Sequence, residues 1–448
     1  MKKKLLLQSL SLVIIMSMFA GCGKEAKTPV DSAAAPAAST AASTAAVVTE
    51  APATEAPATA APSTVKGKIT FLNHRTDIAE TKMKEYIAAF KVLYPEADVE
   101  NQAVANQTDV LKVRAAANEL ADVSFVGGDA MKNVDYPKFF LPIDDLGFAG
   151  KVLFESQNII DGKLYAVSSG GSITGVLYNK KAYAAAGITK TPVTLDEFYA
   201  ACELLKAKGI VPVATNYFAK WPLDQYAALA YSIADDVALK DKNAKIDAPY
   251  TMDSPYGKAL EILRTLADKK YTEKDLFSTD WETSKKDLAS GKFAMAVLGN
   301  WAVPQIIESG STSEDIGFFP MPVDNSGKLV SPIGSDAFIA ISKNSKNIDT
   351  AKAFVKFFVE QSGYDNDSGF VPALKATKST VPQIADFMAA NPKLLETGPT
   401  LEYTNKVSNK AQFAFPDFAQ EYMVEPDKQK VLDRWNKKWA DARKVVTE

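Results

Sequence analysis

Cysteine and histidine are nearly absent from this chain. Its 448 residues include two cysteines and one histidine. This composition excludes a disulfide framework and provides no ligand set for a zinc site, and a His-dependent catalytic triad would rest wholly on His74. Cys202 stands in the apolar-periodic segment EFYAACELLKAKG, where we expect a buried, small hydrophobic residue. The position of Cys22 near the start of the chain needs a separate explanation.

The chain also has no excess of positive charge. Its formal charge is −3, and it becomes −6 when the first 21 residues are removed, because they carry three lysines and no acidic residue. No basic stripe remains, so we expect no nucleic-acid partner. The segment GGSITG lacks the spacing of a dinucleotide-binding loop, and no Gly-Lys-Ser/Thr phosphate loop occurs. We therefore expect no cofactor.

The first residues have the layout of a secretory signal. Lys2, Lys3 and Lys4 precede a mostly apolar stretch over residues 5–19, and two small residues follow before Cys22. The apolar stretch is shorter than a membrane-spanning helix requires. The segment FAGC resembles the lipobox of bacterial lipoproteins, although Phe19 stands where that motif usually has leucine. The resemblance implies cleavage after residue 21 and a lipid on Cys22; an uncleaved anchor with an incidental cysteine is the alternative.

Residues 22–65 read as a flexible spacer. They are rich in Ala, Thr, Pro and Ser, contain EAPAT twice in tandem, and have no aromatic residue. Such a segment cannot bury enough apolar surface to offset the entropy of ordering. In an extended form it reaches on the order of 100 Å, so it can hold a folded domain away from the membrane.

Strand-like and helix-like segments alternate from residue 66 onward. KGKITFLNHRTD contains a first strand, ETKMKEYIAAFKVLYP a helix that ends before Pro95, and ADVEN, QTDVLKVRAAANEL and ADVSFVGG repeat the order. This alternation predicts an α/β fold with a parallel sheet covered on both faces. Ligands bind such sheets beyond the carboxyl ends of the strands, which singles out residues 73–77 and 127–129. Thr194 and Glu197 predict a capping box.

Further segments resemble a known family when they are taken in order. They are AAFKVLYPEADVE, DGKLYAVSS, GVLYNKKAYAAAGI, PVTLDEFYAACELLKAKG, GKFAMAVLGNW, SKNSKNIDTAKAFVKFFV and SGFVPALK. Their order and spacing resemble the family 1 extracellular solute-binding proteins of ABC importers, the group that includes maltose-binding protein. The likeness runs from about residue 66 to residue 444, and a lipoprotein start with a linker is also typical of Gram-positive members.

The resemblance implies a two-lobed periplasmic-binding-protein-like (type II) α/β fold. Hinge strands join the lobes, and the ligand lies in the cleft between them. By analogy the chain crosses near residues 174–178, 330–334 and 370–375, where Gly175 and Gly334 suit backbone rotation. The expected division is a signal peptide at 1–21, a lipidated linker at 22–65, an N-terminal lobe at 66–176 plus 334–370, and a C-terminal lobe at 178–330 plus 375–448.

The function that the resemblance implies is binding without catalysis. The expected protein is a monomer, held by the lipid on Cys22 at the outer face of a Gram-positive cell membrane. Its expected partners are a carbohydrate ligand and the permease subunits of an ABC importer. Contacts that a solute makes with both lobes favour the closed form. The closed form then delivers the solute to the permease.

The candidate site residues follow from what a sugar offers. Its hydroxyl groups lie around the ring edge and its C–H groups on each face, so aromatic planes and bidentate polar groups suit it. Trp301 and Trp221 follow predicted strand ends; each has the alternative of a core tryptophan, and Trp281 is a weaker candidate. Trp435 and Trp439 stand four residues apart on the last helix, which predicts packing. The polar candidates are His74, Arg75, Asp77, Asp129, Asn300 and Asp336, all in loops or next to strand ends.

Three alternatives remain open at this stage. One is the same fold with a polyamine, a peptide or a metal chelate as ligand; polyamines would need several acidic residues in the cleft, and metals would need clusters of His or Tyr. A secreted glycoside hydrolase needs only two positioned carboxylates, but the segment order does not predict its common eight-unit barrel. A sensor subunit that presents its closed form to a membrane receptor would have the same sequence features.

Overall fold

The computed structural model describes residues 64–127 and 131–447. The predicted signal peptide, Cys22, nearly all of the predicted linker and Asp129 lie outside these ranges. The strands are β1 (Gly67–Asn73), β2 (Ala97–Ala103), β3 (Val123–Val126), β4 (Ile159–Ile160), β5 (Lys163–Leu164), β6 (Ala166–Ser168), β7 (Gly171–Asn179), β8 (Val211–Ala214), β9 (Phe293–Gly299), β10 (Ile316–Phe319), β11 (Val330–Ser335), β12 (Phe338–Ile341) and β13 (Lys393–Glu396).

The helices cover most of the remaining described chain. They are α1 (Lys82–Leu93), α2 (Gln107–Ala117), α3 (Tyr136–Phe139), α4 (Lys180–Ala185), α5 (Leu195–Ala207), α6 (Gln225–Ala234), α7 (Leu239–Asn243), α8 (Pro255–Asp268), α9 (Trp281–Ser290), α10 (Ala302–Glu308), α11 (Ile348–Glu360), α12 (Tyr364–Asp367), α13 (Pro382–Ala389), α14 (Glu402–Ala411), α15 (Phe415–Val424) and α16 (Lys428–Arg443). Within the described ranges, none of them combines the length and apolar character that crossing a bilayer requires.

The first sheet has the strand order β2-β1-β3-β12-β6. β1 pairs in parallel with β2 and β3, as the alternation of strands and helices predicts. β12 runs antiparallel to both β3 and β6. The predicted all-parallel sheet is therefore wrong at this edge, because β12 enters from the second sheet rather than from a helix crossover.

The second sheet has the order β13-β11-β7-β9-β8 and is built around the long strand β7. Along one edge, β7 pairs antiparallel first with β11 and then with β10. Along the other edge it pairs antiparallel with β9, and β8 continues in parallel beyond β9. The loops after β8 and β9 therefore start from neighbouring parallel strands, and these loops carry Trp221 and Trp301.

The chain passes between the sheets at two short connections that bond to each other. One connection joins β6 to β7 through Ser169 and Gly170, and the other joins β11 to β12 through Asp336 and Ala337. The Ser169 N–H donates to the Ala337 carbonyl at 2.9 Å, and the Asp336 N–H donates to the Gly170 carbonyl at 3.0 Å. The predicted crossings at residues 174–178 and 330–334 stay a prediction. In the structure those residues lie within the strands β7 and β11.

A third connection lies beside the first two. Gly171 and Val371 exchange both backbone hydrogen bonds, at 2.8 and 2.9 Å. Gly170 has φ +151°, and a Cβ atom there would lie 2.8 Å from Cβ of Phe370. Glycine at this position therefore lets the connections approach closely, and the three form one narrow waist between the sheets.

The cores confirm several local predictions. Trp435 and Trp439 are 2 % and 1 % exposed in the hydrophobic cluster of the second sheet. Cys202 is buried in the same cluster, and burial raises the pKa of its thiol. Thr194 and Glu197 form the predicted capping box at the start of α5. Each of these features depends on neighbours in sequence or on apolar periodicity alone, which is why the sequence could predict it.

Candidate functional site

Two cavities adjoin the waist between the sheets. One has a volume of about 380 Å³ and is lined largely by residues of the first sheet and its loops. The other has about 770 Å³ and is lined mainly by the second sheet, the loops after β8 and β9, and the region before α15. Gly334, Ser335 and Thr397 line both cavities. The two cavities are therefore parts of one cleft, with a wall from each sheet.

The wall on the first sheet is polar. His74 follows the end of β1, lines the smaller cavity and has Nε2 3.8 Å from Oδ1 of Asp336. The Asp336 carboxylate is 17 % exposed, and its Oδ2 accepts a hydrogen bond from the Tyr364 hydroxyl at 3.2 Å. Gln107 and Gln157 add amide groups to the same cavity. The structure thus brings the predicted residues His74 and Asp336 together in the cleft.

Arg75 and Asp77 lie in the predicted loop but bond to each other rather than line either cavity. The guanidinium donates from Nε and Nη2 to the two oxygens of Asp77, both at 2.8 Å. Its Nη1 donates to the hydroxyls of Tyr364 and Ser368, also at 2.8 Å. Tyr364 then donates to Asp336. Arg75 therefore holds Tyr364 behind the cavity wall, one hydrogen bond away from the cleft carboxylate.

Arg75 and Asp77 each stabilise the charged form of the other. Burial is the largest single influence on the pKa of Arg75 and lowers it, but the hydrogen bond to Asp77 and the electrostatic interactions with Asp77, Tyr364 and Asp336 together outweigh it, and the net shift is upward. Burial is also the largest single influence on the pKa of Asp77 and raises it, but the Arg75 guanidinium and backbone hydrogen bonds together outweigh it, and the net shift is downward. Both groups are thus held in their charged forms.

The wall on the second sheet is aromatic. Trp221 is 40 % exposed and lines the larger cavity together with Trp301. Their ring centroids are 5.6 Å apart at 45°, and Trp281 meets Trp221 edge-to-face at 5.5 Å. Trp281 donates from Nε1 to Gln305 at 3.3 Å and supports the pair from behind. The two predicted tryptophans therefore form one surface, although their sequence positions are 80 residues apart.

Local backbone features set these two indoles in place. A single 3₁₀ turn, Trp221–Asp224, begins after Lys220, which has φ +68°. Trp301 follows Gly299 and Asn300 at the end of β9, and a Cβ atom on Gly299 would collide with the Trp301 indole. Glycine is therefore needed where the indole lies over the backbone.

Asn300 has a structural role in this arrangement. It is fully buried, its Oδ1 accepts from the Ile173 N–H at 2.9 Å, and its Nδ2 donates to the Gly171 carbonyl at 3.1 Å. Its side chain thus joins the end of β9 to the start of β7. Because both polar groups are already used, we leave Asn300 out of the proposed ligand contacts, and its predicted contact with solute remains a prediction.

Several lining residues were missed because the sequence reasoning favoured strand ends. Gln107 is the first residue of α2, and Asp224 and Gln225 stand where α6 begins. In the segment QFAFPDF, Phe413 lies just before α15 and Phe415 is its first residue. All five line the cleft. Residues at the start of a helix are candidates for ligand contacts when that end of the helix faces the cleft. The sequence did not show which helices have their first residues at the cleft.

The cleft does not resemble a metal centre. Among the described residues, no three His, Cys, Asp or Glu side chains converge in a way that could hold a metal ion. Within the described part of the chain, the lining carboxylates are Asp336 in the smaller cavity and Asp224 in the larger, and Lys240 lies in the same wall as Asp224. The lining is therefore aromatic and mixed polar, with little net charge.

Comparison with known proteins agrees with this geometry. Residues 76–364 match the family model described as bacterial extracellular solute-binding protein. The multiple sugar-binding protein of Streptococcus mutans is 26 % identical over 314 residues, which cover 67 % of this chain and 74 % of that protein.

Two solved structures from Bifidobacterium animalis subsp. lactis have the same fold. One is an ABC transporter binding protein in complex with mannobiose, with TM-score 0.71 and 26 % identity over 85 % of this chain and 95 % of that one. The other is a manno-oligosaccharide specific solute binding protein with mannotriose, with TM-score 0.72 and the same identity and coverage. These likenesses confirm the predicted two-lobed α/β fold.

Proposed function

The chain belongs to the bacterial extracellular solute-binding proteins, and from this premise we propose that it captures an oligosaccharide between its lobes for an ABC importer. The observation that carries the proposal is the contrast between the two walls of the cleft. One wall offers His74, Asp336 and amide groups, and the other offers the Trp221 and Trp301 indoles. A sugar has matching surfaces, since its hydroxyl edge suits polar groups and its C–H faces suit aromatic planes.

The relatives support a sugar as the ligand class. The similar proteins include one named for multiple sugars and two solved with manno-oligosaccharides. The combined size of the cleft, about 380 and 770 Å³ in its two parts, suits several sugar rings better than one. We therefore propose an oligosaccharide rather than a monosaccharide.

A polyamine is the second candidate, and the lining argues against it. A polyamine carries several positive charges and needs a carboxylate for each. Each cavity has one lining carboxylate among the described residues. Lys240 places a positive charge near the Asp224 carboxylate. A peptide ligand or catalytic glycoside hydrolysis has no supporting observation of its own, and the similar proteins bind solutes rather than transform them.

Closure of the lobes would both trap the sugar and produce the form of the protein that the permease recognises. A sugar that touches both walls binds the closed form more tightly than the open form, and this difference in binding free energy shifts the protein towards closure. The waist consists of three short connections that include Gly170 and Gly171, and segments of this kind can absorb the backbone rotation of closure. The permease would then recognise the closed form and receive the solute.

The proposal is tested by binding and by shape together. We expect at least one of mannobiose, mannotriose, raffinose, stachyose, maltotriose and diacetylchitobiose to bind in calorimetry with micromolar or tighter affinity. At saturation, X-ray scattering should show a smaller radius of gyration, and the glycan should be recovered unhydrolysed. Spermidine and a tripeptide serve as controls. Binding of a control alone, sugar hydrolysis, or unchanged dimensions with every glycan would contradict the proposal; the same scattering data test the expected monomer.

We also propose a lipid anchor at Cys22, on the sequence features of the first 22 residues. The residue lies outside the described ranges, and the family description supports an extracellular location. In a Gram-positive host, the Cys22→Ser variant should move from the membrane fraction to the culture medium or keep its signal peptide. Mass spectrometry of the wild-type N-terminus should find a diacylglyceryl group on that cysteine. Cys202→Ser is the matched control, because its thiol is buried in the folded part. Unchanged membrane retention of the Cys22 variant with a cleaved signal would contradict the anchor.

A further inference from the structure

One carboxylate on the aromatic wall, that of Asp224, has no hydrogen-bond partner in the part of the chain that the structure describes. Asp224 is the last residue of the 3₁₀ turn Trp221–Asp224 and lies directly before α6. Its backbone has helical angles, and its side chain makes no capping hydrogen bond to α6. Within residues 64–127 and 131–447, no group donates a hydrogen bond to this carboxylate or forms an ion pair with it.

Asp224 lies at the mouth of the larger cavity, with Lys240 in the same wall. Solvent reaches the carboxylate through the mouth of the cavity, but the enclosing protein raises its pKa, and Lys240 on α7 opposes that shift. The other titratable groups that face it are the phenols of Tyr231 on α6 and Tyr256 on α8. Asp224 is an exposed residue that lines the larger cavity and makes no hydrogen bond to the described part of the protein. Its carboxylate oxygens are therefore free to accept hydrogen bonds from a ligand in this cavity.

The neighbours of Asp224 complete a surface for a sugar ring. Trp221 stands three residues earlier in the same turn, and side chains three apart in a 3₁₀ turn project from the same side. Gln225 follows directly, and its Oε1 already accepts from the Thr174 hydroxyl at 3.2 Å. Its amide NH₂ is left as a donor. An aromatic plane, an acceptor pair and a donor thus line the same cavity.

We propose that Asp224 determines which sugar ring the aromatic wall accepts, by accepting hydrogen bonds from two adjacent hydroxyl groups of a pyranose stacked on Trp221. Gln225 donates to a further oxygen of the same ring. This inference rests on the proposed function and deepens it, because it requires a ring with two adjacent free hydroxyls. Loss or substitution of either hydroxyl removes a charge-assisted hydrogen bond.

The test compares Asp224→Asn with Asp253→Asn, an exposed aspartate of the same lobe that lines neither cavity. The probe is whichever glycan of the panel above binds the wild-type protein most tightly. We expect Asp224→Asn to raise the dissociation constant about 10- to 100-fold, the range for hydrogen bonds to a charged group. Its melting temperature should stay the same, because the Asp224 side chain is exposed and makes no hydrogen bond to the described residues. Asp253→Asn should change neither quantity.

The pH dependence gives an independent readout. Hydroxyl donors favour the charged carboxylate, and the pKa of free Asp224 lies above its ordinary value of 3.8. Wild-type affinity should therefore fall as the pH is lowered from about 7.5 towards 4.5, and Asp224→Asn should show a weaker dependence. The pKa values of Tyr231 and Tyr256 are raised, mainly by burial. His74 and Asp336 of the cleft are present in both proteins, so the difference between the wild type and Asp224→Asn isolates Asp224.

The outcomes separate this inference from the function on which it rests. Unchanged affinity in Asp224→Asn, with the wild type binding normally, would overturn the inference and leave the proposed function standing. A lower melting temperature together with lower affinity would assign Asp224 a structural role and overturn it as well. Failure of the wild type to bind any glycan would overturn both.

Discussion

Replacing Trp221 by alanine is expected to raise the dissociation constant for the bound glycan about 10- to 100-fold, with little change in stability. The indole is 40 % exposed and lines the larger cavity, so its truncation removes a stacking surface more than a part of the core. Calorimetry with the tightest glycan of the panel, and a urea denaturation curve, give the two quantities. The expected pattern is a large loss of affinity with an almost unchanged unfolding midpoint.

Phe218→Ala is the matched control for this prediction. Phe218 lies in the same loop and is 60 % exposed, but it lines neither cavity. Its truncation should leave glycan affinity within about twofold, since it removes no surface of the cleft. Equal losses of affinity in the two variants would mean that the loop as a whole, rather than the Trp221 ring, governs binding.

Trp301→Ala should behave differently from Trp221→Ala. Trp301 lines the same cavity, but it also packs against the hydrophobic clusters of both lobes. Its truncation should lower both affinity and stability, because a cavity opens beside the waist. Trp221 is therefore the cleaner probe of sugar stacking.

Replacing Arg75 by alanine is expected to lower the free energy of unfolding by about 2–4 kcal/mol. The guanidinium is 13 % exposed and bonds Asp77, Tyr364 and Ser368 at once. Its loss leaves the Tyr364 and Ser368 hydroxyls without this donor and weakens the support behind Asp336. Urea denaturation measures the loss, and glycan affinity should fall less than it does in Trp221→Ala.

Asp77→Asn removes the other charge of the same ion pair and is expected to have a smaller effect than Arg75→Ala. Asp77 is 43 % exposed, and its replacement leaves the bonds from Arg75 to Tyr364 and Ser368 in place, so stability should fall by less. Because the pKa of Asp77 is lowered in the folded state, its contribution is present above its ordinary pKa of 3.8 and is lost as the pH falls through the lowered value. A loss of affinity without any loss of stability in Arg75→Ala would instead make Arg75 a direct ligand contact, as the sequence predicted.

The candidate site shows where sequence reasoning stopped. The sequence predicted Trp221 and Trp301 because both follow strands, and it predicted His74 and Asp336 because loops at strand ends or hinges carry ligand contacts. The structure places all four in the lining of the cleft. The sequence could not show that Arg75 bonds Tyr364, 289 residues later, or that the Asn300 side chain is used by β7. A hydrogen bond between distant segments leaves no local pattern in the sequence.

The sequence by itself determined the α/β class, most of the local elements, the burial of Cys202, Trp435 and Trp439, and the order of segments that indicates the family. These features follow from apolar periodicity, capping and composition, which act over a few residues. Only the tertiary structure decided which polar side chains face the cleft and which are consumed inside the protein. That choice depends on how β7, β11 and the loops after β8 and β9 meet at the waist, and long-range packing sets this arrangement.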